Sequence, residues 1–385
     1  MVKKTEEEKA AKKSLIDRIK KASTIDSSAI LTESKYFGKK DYVTTPIPAI
    51  NIALTGEPDG GLSAGSFVLA APSRHFKSLF ALLFASSYFT KYPDAALLFY
   101  DSEFGTPLSY FDSFDIDKNR VLHSPLMNIE QLTFDLVKQL DALENGDHLI
   151  IIVDSLGGLA SKKELEDALE GNSAEDMTRA RKIKSMFRTI TSYLTIKNVT
   201  FISINHVYQT MERISKTIIS GGNGVMLAAD NAWIIGRQQE KDKIKSINPE
   251  TGKTQTIEEL VGYNFVINIE KSRHVKEKSK IIITTTHDGG IEKWSGMREI
   301  AEAGGFVFSP KQGYLQHVNP ETGEITGNIV RVKTNKTNDE FWNDLVYHND
   351  AFKKYVKESF ALGQIKMIGD GLDDDDDDGI EEDLS

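Results

Sequence analysis

The chain has 385 residues, 39% hydrophobic and 27% charged, enough for one large core plus a smaller domain. It contains no cysteine, which excludes disulfides and thiolate metal sites and suits a reducing, cytoplasmic setting. The net charge of −10 is unevenly spread: residues 373–385 carry nine carboxylates (Asp373 to Asp378, Glu381, Glu382 and Asp383), and without them the body sits near −1.

In chain order, residues 1–44 read as an N-terminal arm. Met1 to Lys13 is a Lys/Glu mixture without the apolar run of a secretory signal. Ser14 is placed as an N-cap before Leu15, Ile16 and Ile19, a short apolar face. Such an arm either docks on a neighbouring subunit or frays. From 45 to 290, strand alternates with helix. Strand runs are predicted at Phe67–Ala70, Leu97–Tyr100, Leu149–Val153 and Val199–Asn205, with helices over Lys77–Tyr92, Asn128–Glu144 and Ala174–Leu194. Further strands are expected at Ala232–Gly236, Phe265–Glu270 and Lys280–Thr286, with an exposed insertion at 238–260 carrying the turn Asn248-Pro249-Glu250-Thr251-Gly252. This alternation predicts an α/β core with a mostly parallel central sheet covered on both faces.

Residues 291–368 read as a small C-terminal α+β domain. It has helices near Gly296–Ala303, Asn338–Val346 and Ala351–Leu362, and a hairpin over Gly313–Val332 turning at Asn319-Pro320-Glu321-Thr322-Gly323. Residues 369–385 form an acidic tail whose like charges repel and which has nothing apolar to bury. No apolar stretch approaches the roughly 20 residues of a membrane helix.

Three of the apolar runs end in chemistry. The first leads through Ala71-Pro72-Ser73-Arg74-His75-Phe76 into Lys77-Ser78-Leu79, a phosphate-binding loop opening a helix, without the usual glycines. The second leads into Asp101-Ser102-Glu103, where Glu103 is placed to orient or deprotonate water, unless it is an ordinary loop glutamate. The third ends at Asp154, placed to hold Mg2+ with Ser78, though an aspartate at a strand end also serves as a helix cap. Because parallel strands gather their ligands at their carboxyl ends, the set implies ATP and Mg2+. Asn205-His206 closes the fourth run. Beyond it lies a long polar loop with Arg213 and Lys216, ending at Gly221-Gly222-Asn223-Gly224.

These residues together resemble the RecA family of strand-exchange recombinases, most closely the UvsX recombinases of tailed phages. The resemblance rests on Phe99 to Gly105, Val153 to Leu156, Ile204 to His206, Ser220 to Asn223 and Glu270 to Arg273, in that order over about 45–290. It implies a RecA-like P-loop ATPase core, with Lys77 on the β/γ-phosphates, Ser78 and Asp154 on Mg2+, Glu103 as the base and His206 as γ-phosphate sensor. Tyr110 would stack on adenine, and Lys271 and Arg273 would reach the ATP of the adjacent subunit. Two loops would grip DNA: about Lys162–Asp176, with Arg181, Lys184 and Arg188 on the following helix, and Val207–Gly224. Arg181, Lys184 and Arg188 share a helix face, but the first loop is acidic.

The expectation is an ATP-dependent DNA recombinase in the cytoplasm (the host's, for a phage protein). It would form homo-oligomeric filaments on single-stranded DNA, pair them with homologous duplex DNA, and work with a recombination mediator and a single-strand-binding protein. A hexameric helicase shares the core. A DNA-binding filament protein with an inactive nucleotide site is suggested by Ala71 and Phe76.

Overall fold

The computed structural model describes residues 15–36, 41–171, 178–211, 216–247, 254–311, 313–331 and 339–363. Its centre is a nine-stranded sheet. In chain order the strands are β1 (Gly65–Ala70), β2 (Ala96–Asp101), β3 (Val121–Pro125), β4 (Leu149–Asp154), β5 (Thr200–Asn205), β8 (Asn231–Ile247), β9 (Thr254–Ser272), β10 (Lys280–Thr286) and β11 (Gly290–Ile291). They lie side by side as β11-β10-β9-β8-β1-β5-β4-β2-β3. Neighbours from β8 to β3 run parallel, and β8 to β11 continue antiparallel.

The sheet is buried on both faces because successive side chains of its central strands feed two different apolar layers. Phe67, Leu69, Phe99, Ile152 and Ile204 point into one layer; Val68, Ala70, Tyr100, Val153 and Phe201 point into the other. Helices α2 (Pro48–Thr55) and α3 (Lys77–Lys91) cover the first, where Phe84 meets Phe67 at 5.4 Å between ring centroids. Helices α5 (Ile129–Ala142) and α7 (Thr178–Ile196) cover the second with stripes at helical spacing: Ile129, Leu132, Leu136 and Leu140 on one, Ile183, Met186, Phe187, Ile190 and Leu194 on the other. The Asn128 side chain accepts from the Gln131 N–H and starts α5.

Four expectations need correction. The sheet has an additional edge strand, β3, whose side chains are mostly exposed. The stretch 238–260 is not a loop insertion: β8 and β9 stay in register from Asn231↔Ser272 out to Ile247↔Thr254, and the Asn248–Gly252 turn lies outside the described residues. The first DNA loop holds a helix, α6 (Lys162–Leu169), closed by a capping box in which Ser161 and Glu164 exchange hydrogen bonds. The second is largely a hairpin of β6 (Val207–Gln209) and β7 (Thr217–Ile219). The acidic character of the first segment has a local reason, since Glu166 and Asp167 pair with Lys162 and Lys163 one turn earlier.

The C-terminal segment forms a three-stranded antiparallel sheet, β12 (Val307–Phe308), β13 (Tyr314–Val318) and β14 (Ile325–Arg331), with α9 (Met297–Ala303), α10 (Asp339–His348) and α11 (Asp350–Phe360). Trp294, Phe306, Trp342 and Phe352 belong to the same apolar layer as α2 and α3. At the other end of the chain, residues 15–22 are helical with Leu15, Ile16 and Ile19 exposed, and Ser14 lies outside the described residues.

Gly221 and Gly222 lead into α8 (Asn223–Ala228) with φ of +99° and +80°, which a residue with Cβ adopts only with strain. Gly224 has a different reason: a Cβ there would lie 2.8 Å from Lys184 Cβ and 3.0 Å from Lys184 Cα, so its absence lets α8 touch α7. Gly224→Ala is therefore expected to push the helices apart and lower stability by about 1–3 kcal/mol, measured by denaturant unfolding.

Candidate functional site

The register of the parallel strands brings the predicted groups to one rim. Asp101 lies directly beside Asp154, and Ala70 beside Asn205, so the segments leaving β1, β2, β4 and β5 meet above these carboxyl ends.

The loop from Ala71 to Phe76 folds without glycine. Ala71 is buried, and its N–H donates to Asn205 O at 3.2 Å. Arg74 and Phe76 instead take the left-handed conformation, with φ of 60° and 54°, each costing about 1–2 kcal/mol in a residue with Cβ. The Phe76 ring recovers part of that cost by turning onto β9, edge-on to Phe265 at 5.0 Å and near Tyr263 at 6.3 Å. Pro72, Ser73 and Arg74 are exposed; His75 is half-buried, with Nδ1 2.9 Å from Ser73 O.

Lys77 is buried, and its Nζ donates to Ala71 O at 3.2 Å and Pro72 O at 3.0 Å. Burial lowers its pKa, partly offset by the charges of Glu103 and Asp154. A buried ammonium whose hydrogen bonds go to two neutral carbonyls, at the N-terminus of α3, is suited to an anion. Ser78 Oγ donates to Asp154 Oδ2 at 2.6 Å, and Thr106 Oγ1 donates to the same oxygen at 3.2 Å. Burial pushes the Asp154 carboxyl up, Glu103 and Asp101 push it further, and the two hydroxyls only partly oppose this. A buried carboxylate ringed by oxygen donors is the hard ligand set that Mg2+ takes.

Glu103 stands across the rim. Its Oε1 accepts from the Ser155 hydroxyl and lies 2.8 Å from His206 Nε2. Burial raises its pKa, but Ser155, His206 and the Lys77 charge outweigh burial and hold it below the usual carboxylate range. Asp101, itself buried, fixes the turn by accepting the Glu103 N–H at 3.1 Å and the Phe104 N–H at 2.7 Å through Oδ1. Thus the structure joins Lys77, Ser78, Glu103, Asp154 and His206. Sequence reasoning missed Thr106, Ser155 and Asp101, of which only Asp101 closes an apolar run.

Beside Leu79 and Phe76 opens a mostly apolar cavity of about 370 Å³, also lined by Ser113, Phe114, Gly289 and Gly290. Tyr110, on α4 (Leu108–Ser113), is half-buried against the adjoining core.

Lys271 and Arg273 lie elsewhere. Lys271 Nζ donates to Met226 O and Leu227 O at 2.8 and 2.9 Å, in the last turn of α8. Arg273 Nε is 2.5 Å from Asp230 Oδ1, while Asp230 Oδ2 accepts the Ser66 N–H at 2.8 Å. Ser66 is the second residue of β1 and the phosphate loop follows Ala70, so about 16 Å of strand separates Arg273's anchor from that loop. Neither cation is placed to serve its own chain's loop.

On α7, Arg181, Lys184 and Arg188 are exposed, and Ala180, Ile183 and Lys184 of the same helix abut Gly222, Gly221 and Gly224. Lys216 opens the return strand of the β6–β7 hairpin and exchanges backbone and hydroxyl bonds with Thr210; Arg213 lies outside the described residues.

The recombination and repair protein of Enterobacteria phage T4 is 46% identical to this chain over 354 residues, 91% of this chain and 87% of that protein. The chain belongs to the UvsX family. The family described as "Bacteriophage T4, Recombination and repair protein, C-terminal domain" matches residues 294–356, the segment that carries α9, the three-stranded sheet, α10 and the first part of α11. The core is RecA-like, as the strand-end motifs implied. Among the described residues no helix is long and apolar enough to cross a membrane.

Proposed function

We propose that this chain is an ATP-dependent DNA recombinase. It forms helical filaments on single-stranded DNA and uses them for homologous pairing and strand exchange in recombination, repair and recombination-dependent replication. The observation that carries the reading is the single rim holding a buried lysine at a helix N-terminus, a Ser–Asp–Thr oxygen set and a glutamate bridged to a histidine.

In this reading Lys77 and the N–H groups of residues 73–79 hold the phosphates, and Ser78 with Asp154 holds Mg2+, which supplies charge neutralisation on the phosphates. Glu103, its carboxylate stabilised against burial by Ser155 and His206, orients the attacking water and accepts its proton. His206 links that carboxylate to the β6–β7 hairpin, because its backbone N–H and C=O both bond Ser220. The cavity between Leu79 and the Gly289–Gly290 turn takes the base, with Ser113 and Phe114 at the end of α4 forming one side; Tyr110, one turn earlier on α4, is not among its lining residues.

Lys271 and Arg273 act on the neighbouring subunit's nucleotide. Their position away from their own phosphate loop supports this, since a head-to-tail stack brings unlike faces together. Arg181, Lys184 and Arg188 with Lys216 and the Gly221-Gly222-Asn223 turn face the DNA backbone, where contact is electrostatic and independent of sequence, and Arg213 adds to the same charge. Homology is then read by base pairing. A mediator and a single-strand-binding protein are the expected protein partners.

The test is ATP hydrolysis with and without single-stranded DNA, alongside electron microscopy of the mixture. DNA-stimulated turnover and open helical filaments are expected. Closed rings with directional unwinding would instead identify a helicase, and equal DNA affinity with and without ATP and Mg2+ would identify an inactive nucleotide site.

A further inference from the structure

The phosphate loop holds two residues with Cβ, Arg74 and Phe76, in a conformation that glycine adopts freely. Phe76 is held by its own ring on β9. Arg74 has an exposed side chain, and the bond that anchors its backbone comes from far away in the chain. Arg237 Nη1 donates to Arg74 O at 2.7 Å. The same guanidinium lies over the Tyr263 ring, 4.7 Å from its centroid.

Arg237 stands opposite Phe265 in the β8–β9 ladder, and Tyr263 is its diagonal neighbour on the same face. Tyr263, which with Phe265 seats Phe76, also seats Arg237, so the two left-handed residues are braced by one patch of sheet. A trans peptide points its C=O and N–H in opposite directions. Fixing Arg74 O toward β8 fixes the His75 N–H away from it, and that N–H belongs to the set offered to the phosphates.

We propose that Arg237 is a positioning residue for nucleotide binding: it sets the Arg74–His75 peptide plane in a loop that lacks the glycines to set it unaided. It does so from a site stacked on Tyr263, without touching the nucleotide. This rests on the reading of residues 71–79 as the phosphate loop.

The test measures binding of a fluorescent N-methylanthraniloyl-ADP and steady-state ATP hydrolysis by the full chain. Arg237→Ala is expected to raise Kd and KM about tenfold, the equivalent of one hydrogen bond to a charged donor, with kcat within about twofold. Arg237→Lys, which keeps one donor and the charge, should recover part of the loss. Tyr263→Leu, which removes the stack and leaves Arg237 in place, should fall between. In an Arg74→Gly background, where the left-handed conformation is unstrained, Arg237→Ala should change KM by less than about threefold.

Wild-type KM in Arg237→Ala, a fall in kcat at unchanged KM, or an undiminished effect in the Arg74→Gly background would each overturn the assignment while leaving the nucleotide site standing. Failure of the unaltered chain to bind the probe would instead reject the proposed function, and this inference with it.

Discussion

Lys77→Ala is expected to abolish ATP hydrolysis with or without DNA, a loss of at least about 100-fold, the scale seen when one preorganised charge-stabilising donor is removed. The lysine is buried, and its ammonium now bonds the Ala71 and Pro72 carbonyls of the loop it closes. Alanine removes both the positive charge offered to the phosphates and those two bonds, so nucleotide binding should weaken as well. Arg273 is untouched by the change, because it is anchored on Asp230 at the far end of β1. Mixing Lys77→Ala with Arg273→Ala subunits should therefore restore turnover at roughly a quarter of the junctions of a randomly mixed stack, those where an intact loop meets an intact arginine. Normal hydrolysis by Lys77→Ala would reject the site. No restoration on mixing, with both variants folded and binding DNA, would reject the placement of Arg273 at a subunit junction.

Glu103→Gln should separate binding from chemistry. The amide fills the same space and retains an oxygen for Ser155 and His206, but it cannot take a proton. Hydrolysis should fall by about 10²–10⁴-fold while ATP binding persists, read as nucleotide-stabilised filaments that no longer turn over. The pH dependence follows with a definite sign. Glu103 is held below the usual carboxylate range by the Ser155 and His206 hydrogen bonds acting against burial. Removing the donor in Ser155→Ala must raise its pKa, so the acid limb of kcat/KM should move to higher pH. An acid limb that stays in place, or moves to lower pH, would show that Glu103 is not the group titrating in it.

The parts of this architecture readable from the chain alone are those where one residue type meets one physical demand. Strands β1, β2, β4 and β5 are buried on both faces, so they appear as mostly apolar runs, with Ser203 inside that of β5, and Asp101, Asp154 and Asn205 closing β2, β4 and β5 mark the rim. Strand β3 was missed because it is a sheet edge: Val121-Leu122-His123-Ser124-Pro125 shows neither an apolar run nor clean alternation. The outer reach of β8 and β9 was missed for a related reason. Beyond the sheet they pair mainly with each other, and exposed residues such as Lys241 and Asp242 need no apolar face. Thr106, Ser155 and Arg237 act through partners that only folding supplies; Arg237 and Arg74 are 163 residues apart.

The distance between the phosphate loop and Arg273 along β1 bears on more than one junction. If the proposed head-to-tail filament forms, a subunit with its phosphate loop at one end of β1 and Arg273 anchored at the other gives a stack with chemically unlike tips, one with an uncovered loop and one with unspent cations. In the proposed filament, addition and loss at the tips would then be unequal, a polarity traceable to a single strand of the monomer.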